Sequence, residues 1–255
     1  MKTFNYYVAG STGALDYCKK YLRSHRCSIS TVPNEAITHL ILPAPAFEPD
    51  GKIKGGGYLE TLLRQFPDSI TVMGGNLNHP ALVNYKTVDL LQDPLYLAEN
   101  ADLTAHCAIK AALNRMNTTF KDCPVLVIGW GRIGKCLARL LRNLGAKVSV
   151  SARKDSDRAM LLALGYETAD ITPPAYDLMR FRIIFNTVPV MILPESSQEH
   201  CRSDCIKIDL ASTPGMGGMD IVWAKGLPNK EAPESSGILM GRTILRLAQG
   251  KEIEK

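Results

Sequence analysis

Pro124-Val125-Leu126-Val127-Ile128-Gly129-Trp130-Gly131-Arg132-Ile133-Gly134-Lys135-Cys136-Leu137-Ala138-Arg139-Leu140-Leu141 is the stretch that decides the fold. Its opening apolar run, Pro124 to Ile128, is what a strand buried on both faces requires. A Gly-x-Gly-x-x-Gly pattern follows, and then apolar residues at helical spacing. The glycine pattern alone is weak, but here it stands in the context it needs, with a strand before it and a helix after it. Gly129 permits a tight turn, Gly131 lets backbone approach a pyrophosphate, and Gly134 lets helix and strand pack closely. A diphosphate would sit on the N–H groups that a helix leaves unpaired at its positive end. The reading is a dinucleotide-binding turn, with Gly129, Trp130, Gly131, Arg132, Ile133 and Gly134 as candidate cofactor contacts.

The end of the next apolar segment speaks to cofactor type. A site for NAD places an Asp or Glu about 20 residues on, where it binds the ribose hydroxyls. Here Val150 is followed by Ser151, Ala152, Arg153 and Lys154, with no carboxylate until Asp155. A hydroxyl and two cations suit a 2′-phosphate, because guanidinium makes paired, charge-assisted bonds to it. NADP is therefore expected, with NAD as the alternative, and Ser151, Arg153 and Lys154 join the candidates. Ligands of open α/β sheets lie beyond the carboxyl ends of the strands. That rule adds Asn186, Thr187, Val188 and Pro189 after one strand, and Asp209, Ala211 and Ser212 after another.

Working outward, the chain repeats the strand–helix alternation of parallel sheets. Tyr6–Gly10, His39–Leu42 and Ile70–Met73 read as strands, with helices over Ala14–Ser24 and Tyr58–Phe66. Good helix formers without Gly or internal Pro fill 95–116. Lys147–Val150, Arg182–Phe185 and Ile206–Leu210 are further strands, and Ser236–Gly250 is a closing amphipathic helix. The expected fold is α/β, with two doubly wound parallel-sheet domains. An N-terminal domain covers 1–100. A Rossmann dinucleotide-binding domain covers 101–255, with the bridging helix 95–116, and the last helix, 236–250, returns near the first domain. The long loop Pro43–Gly57 has the glycines and the length of a lid.

Length and composition agree. The 255 residues suit one to two domains at about 150 residues each, and 45% hydrophobic with 22% charged residues is ordinary for a globular protein. No apolar run reaches the roughly 18 residues that span a bilayer, and Met1–Gly10 does not read as a signal peptide. Seven scattered cysteines, an odd number without a tight framework, fit reduced thiols and a cytoplasmic location. The net charge of +5 lies wholly in residues 101–255. It forms no basic stripe with interleaved aromatics, so it argues for a small anion rather than nucleic acid. His200, Cys201 and Cys205 lack the paired spacing of a zinc site, so no metal is expected. His79 and His106 are the acid–base candidates, since imidazole is the side chain suited to proton transfer at physiological pH. No nucleophile elbow or metalloprotease motif is present.

Five segments recur in one order: the 129–134 fingerprint, Val150-Ser151-Ala152-Arg153, Asn186–Pro189, Asp209–Gly215 and Gly226-Leu227-Pro228. In that order, and with Ala232-Pro233 and Ser236-Gly237 opening the last helix, the chain resembles the A subunit of dipicolinate synthase. More distantly, its second half resembles the cofactor domain of D-2-hydroxyacid dehydrogenases. Upstream the likeness rests on Leu40-Ile41-Leu42-Pro43 and Met73-Gly74-Gly75. The resemblance implies oxidation of a dihydrodipicolinate-related cyclic dicarboxylate, from the lysine/diaminopimelate branch, to pyridine-2,6-dicarboxylate, a product of sporulation. It also implies NADP⁺ as hydride acceptor, a substrate held between two domains, a homo-oligomer, and a partner in the form of a flavoprotein-like B subunit. Two departures fall in the first half. The first turn reads Ala9-Gly10-Ser11-Thr12-Gly13 where the family carries a carboxylate and an arginine. The bridging helix reads Thr104-Ala105-His106 where the family carries a Glu, which makes His106 the catalytic candidate for proton transfer. Lys52, Lys54, Lys225 and Lys230 are the cations nearest strand-end loops for a dicarboxylate. The alternatives are a dehydrogenase of the same fold acting on another small carboxylate, perhaps a hydroxy acid, and a nucleotide-binding regulatory subunit without catalysis.

Overall fold

The three apolar runs of the first hundred residues become β1 (Asn5–Val8), β3 (His39–Ile41) and β4 (Thr71–Gly74), joined by β2 (Ser28–Ser30) and β5 (Lys86–Asp89) in one parallel sheet ordered β2-β1-β3-β4-β5. This computed structural model describes residues 4–171 and 178–250. Side chains alternate across a strand, and the two faces of this sheet fill two separate clusters. Tyr6, Val8, Ile41 and Met73 point to one, with Leu15, Cys18 and Leu22 of helix α1 (Gly13–Ser24). Ala9, Leu40, Leu42 and Val72 point to the other, with Leu59 and Leu63 of helix α2 (Leu59–Leu63). Each of these leucines, fully withdrawn from water, is worth about 2 kcal/mol of transfer free energy. β2 and β5 were not expected from the sequence; both are short and half polar, and pairing with a neighbour defines them.

The Pro43–Gly57 loop is tied to its own unit. Phe47 bridges Ile53, and the loop folds onto the β1–α1 turn, where the Ser11 amide donates to Lys54 O at 3.2 Å. Helix α3 (Pro94–Leu113) is the long bridging helix, three residues shorter at its C-terminal end than expected.

A second sheet holds six parallel strands, β6 (Pro124–Ile128), β7 (Lys147–Ser151), β8 (Glu167–Thr168), β9 (Ile183–Asn186), β10 (Ile206–Asp209) and β11 (Ile221–Trp223), ordered β11-β10-β9-β6-β7-β8. Helices α4 (Arg132–Asn143) and α5 (Asp155–Ala163) connect β6 to β7 and β7 to β8. β6 lies at its centre, paired with both β7 and β9, and Val125 to Ile128 are all buried. The continuous apolar run meant just that.

The chain closes with α6 (Leu227–Glu231) and α7 (Pro233–Ala248). By its contacts the chain divides into Met1–Asn100 with Pro228–Lys255, and Ala101–Leu227. Residues 228–250, grouped with 101–227 in the sequence, thus belong with the first unit. The physical reason is the α1–α7 packing. A Cβ on Gly237 would lie 2.3 Å from Ala14 O, and one on Gly241 would lie 2.7 Å from the Tyr21 ring, so only glycine permits this approach. Arg242 and Arg246 of α7 also pair with Glu99 and Asp93. Among the described residues no helix is long and apolar enough to cross a membrane.

Candidate functional site

β6 delivers the chain into Gly129 at φ +103°, where a side chain would lie 2.4 Å from Thr187 Oγ1. Left-handed backbone and crowding together require glycine there. Gly134, one turn into α4, faces the same constraint from the other side: a Cβ would stand 2.1 Å from Gly129 O. Between them Gly131 is the N-cap of α4, with no side-chain cap, and a Cβ there would meet nothing within 4 Å. The first two constraints are structural, whereas the third leaves open space above uncapped N–H groups. Such an end attracts an anion because its donors and the helix dipole both point at it.

A cleft of about 930 Å³ opens above this turn. It brings together Gly129, Trp130, Gly131, Ser151, Arg153, Lys154, Thr187, Val188 and Pro189 from the sequence candidates. Trp130 packs edge-on to Tyr166, with Lys135 Nζ 5.7 Å from its ring centroid. After β7 the loop 152–154 carries both free cations. Among the described residues neither the Arg153 guanidinium nor the Lys154 ammonium has a hydrogen-bond or ion-pair partner, and both are exposed. Arg158, which the sequence reading missed, is in the same cleft. Its Nη1 donates to Ala152 O at 2.9 Å and Arg153 O at 2.8 Å, and Nη2 pairs with Asp155. The visible signal was its place in the first turn of a helix starting at Asp155. Asp157 and Asp170 line the wall as well, two carboxylates that the sequence reading did not single out.

The remaining candidates are elsewhere. Arg132, Ile133 and Gly134 belong to α4 and do not line the cleft. Asn186 and Asp209 are fully buried and face each other, Asn186 Nδ2 donating to Asp209 Oδ1 at 2.9 Å. Asp209 also accepts the amides of Ala211 (3.0 Å), Gly215 (2.7 Å) and Met216 (3.0 Å), and Asn186 is tied to Val188 through both its amide atoms. This carboxylate has its acceptor positions filled by the protein, so the pair acts on the cleft only by fixing the loops after β9 and β10. Ala211 is buried, its carbonyl accepting from Trp223 Nε1 at 3.0 Å, and Ser212 is exposed outside the cleft.

His106 is exposed on α3 and is not among the residues that line the cleft. Its Nε2 is 3.6 Å from Asp102 Oδ2, and the other oxygen of Asp102 accepts from Arg139 at 3.1 Å. An imidazole backed by a carboxylate is an arrangement able to take and return a proton. His79 is packed against Phe47 with ring centroids 4.8 Å apart and accepts from the Ala81 amide, a structural setting. Of the candidate lysines, Lys52 pairs with Asp50 at 2.9 Å and Lys225 is above the Trp223 ring. Among the described residues no group of three or more His, Cys, Asp or Glu side chains could hold a metal ion.

The comparisons bear out the resemblance read from the sequence. The chain is 27% identical over 244 residues to the A subunit of dipicolinate synthase from Bacillus subtilis, covering 87% of this chain and 81% of that protein. The crystal structure of the A subunit of dipicolinate synthase from Bacillus halodurans superposes with a TM-score of 0.83 at 22% identity, over 96% of this chain and 98% of that one. D-lactate dehydrogenase from Escherichia coli shares the fold more loosely, with a TM-score of 0.60 at 14% identity over 97% and 98% of the two chains. No family model matches the chain.

Proposed function

We propose that the protein is an NADP-dependent oxidoreductase of the dipicolinate synthase A type, oxidising a dihydrodipicolinate-related cyclic dicarboxylate to pyridine-2,6-dicarboxylate. The observation that carries the reading is the uncapped, unobstructed N-terminus of α4 beside two unpartnered cations. The relatives support the same reading by sequence and by fold.

The cofactor supplies a hydride acceptor; the chain binds and orients it. In this reading the α4 amides at Gly131 and beyond hold the diphosphate, and Arg153 and Lys154 take the 2′-phosphate. Arg158 fixes the loop that presents them. Thr187, hydrogen-bonded through its hydroxyl to Ile128 O, and Val188 form the wall beyond β9. Oxidation of the dihydro ring removes one hydride and one proton, and the gain of aromaticity drives it forward. His106 is assigned the proton, with Asp102 holding the imidazole. The B. subtilis relative is by name one subunit of a synthase, so a second, flavoprotein-like subunit belongs to the proposal.

The test is NADPH formation from NADP⁺ with freshly generated dihydrodipicolinate, with and without that partner. Pyridine-2,6-dicarboxylate as product supports the assignment. NADP⁺ reduction only with a 2-hydroxy acid would move the protein to the related dehydrogenases, and cofactor binding without turnover in both arms would make it a regulatory subunit. His106→Ala is expected to lower kcat by about 100-fold with NADPH affinity unchanged; an unaltered rate removes His106 from the chemistry.

A further inference from the structure

Cys201 and Cys205 lie at the amino end of β10, at the opposite end of the sheet from the cleft. The 3-10 helix Glu195–His200 runs into Cys201, and a tight turn, with the Cys205 amide donating to Arg202 O at 3.1 Å, returns the chain into β10. Arg202 closes the turn further through a two-pronged contact with Asp204, at 2.7 and 3.1 Å, and Arg182 reaches the same carboxylate at 3.5 Å. Both sulfurs pack on one hydrophobic cluster, with Leu193 and Met216. The Cys201 thiol reaches Ser197 O at 3.7 Å and the Cys205 thiol reaches Ile206 O at 3.9 Å. Lys207, only 9% exposed, follows Cys205 by two residues on β10.

We propose that Cys201 and Cys205 form a redox-modification site, a dithiol that a peroxide closes into an intramolecular disulfide and a thiol reductant reopens.

The two sulfurs have different roles. The neighbouring Cys205 thiol, followed by the Lys207 charge, pulls the Cys201 thiol down to about 7 against the cost of burial, while Cys205 is pushed up. Burial pushes Cys18, Cys27, Cys123 and Cys136 upward. Thiolate is the attacking form, so Cys201 is the nucleophile. Its thiolate attacks one peroxide oxygen and breaks the O–O bond, giving a sulfenic acid and, after protonation of the leaving oxygen, water. The Cys205 sulfur then attacks the sulfenic sulfur, forming the S–S bond and releasing the second water. Two electrons pass from the sulfurs to the peroxide, and the two thiol protons end in water.

Trypsin cleaves between the two cysteines, after Arg202, so the state of the site is readable directly. The full chain is treated with hydrogen peroxide, blocked with iodoacetamide and digested. The expected product is peptide 183–202 linked to peptide 203–207, lighter by two hydrogen atoms than the two free peptides together and separated again by dithiothreitol. It is expected to form several-fold faster in the folded chain than in chain unfolded in urea, because the turn and Lys207 act only when folded. In Cys205→Ser, a trappable sulfenic acid is expected to persist on Cys201. Oxidation of Cys27 or Cys136 ahead of Cys201, a Cys201 found only in intermolecular disulfides, or equal rates in folded and unfolded chain would each overturn the proposal.

Discussion

The chain has two glycine-rich strand–helix turns, β1–α1 and β6–α4, and it finishes them in opposite ways. In the first, the Thr12 side chain accepts from the Leu15 amide at 3.2 Å and caps the helix. The 52–57 loop then seals the turn: Ser11 donates to Lys54 O, and Gly55 sits so close that a Cβ would lie 2.3 Å from Ser11 O. In the second, Gly131 offers no side-chain cap, and nothing stands where its Cβ would be. Parallel strands and a following helix produce the same kind of turn in both places. What separates a structural turn from a binding turn is whether the protein satisfies the helix end itself. The departures of Ala9–Gly13 from the related family's pattern fall in the turn that is filled.

The largest effect expected is from substitutions that force the two turns apart. Gly134→Ala should cost about 3 kcal/mol of stability, because its methyl meets backbone rather than a movable side chain. Gly55→Ala, at φ +64° and against Ser11, should cost a similar amount. Chemical denaturation measures both, and only the first should also abolish NADPH binding. Gly131→Ala separates the roles next. Stability should stay within about 0.5 kcal/mol, while NADPH affinity falls about tenfold, as backbone approach is lost. A destabilised Gly131→Ala chain with normal affinity would show that this turn too is only structural. Thr12→Ala should remove about 1 kcal/mol through the lost cap and leave cofactor titrations unmoved.

The smallest effect is a pH effect confined to the first unit. His39 is packed between Phe4 and Tyr6 and shares a 2.8 Å hydrogen bond with Thr38. Burial, then the Lys86 charge, holds its imidazole below the usual value. The unfolded chain therefore takes up this proton first, so stability falls as pH drops below about 6.5 and levels off once the folded imidazole is also charged. The slope should disappear in His39→Gln, measured by thermal melts between pH 7 and 5, and an identical slope in both proteins would assign it to other groups.

How legible all this was in the sequence depended on range. β6, its glycines and α4 are contiguous, so the strand, the turn and the helix could be read locally, and they form as expected, although Arg132, Ile133 and Gly134 do not line the cleft. Arg153 and Lys154 were equally local. Asp209 misled because a carboxylate at a strand end looks the same whether it awaits a ligand or binds the amides of Gly215 and Met216. Arg158 was overlooked although its i,i+3 spacing from Asp155 was visible, because the contacts that fix the loop are to the carbonyls of Ala152 and Arg153, which no side-chain pattern announces. Gly237 and Gly241 drew no packing role from the sequence. Their purpose is contact with α1, more than two hundred residues earlier in the chain, and no local pattern carries that.

The most direct test of the open-turn account is calorimetric titration of the chain and of Arg153→Ala with NADPH and with NADH. The account expects NADPH to bind the unaltered chain at least about tenfold more tightly than NADH, as charge-assisted bonds to a 2′-phosphate require. It expects that preference to vanish in Arg153→Ala while NADH affinity stays the same. Equal affinities in the unaltered chain, or a preference that survives the substitution, would contradict it.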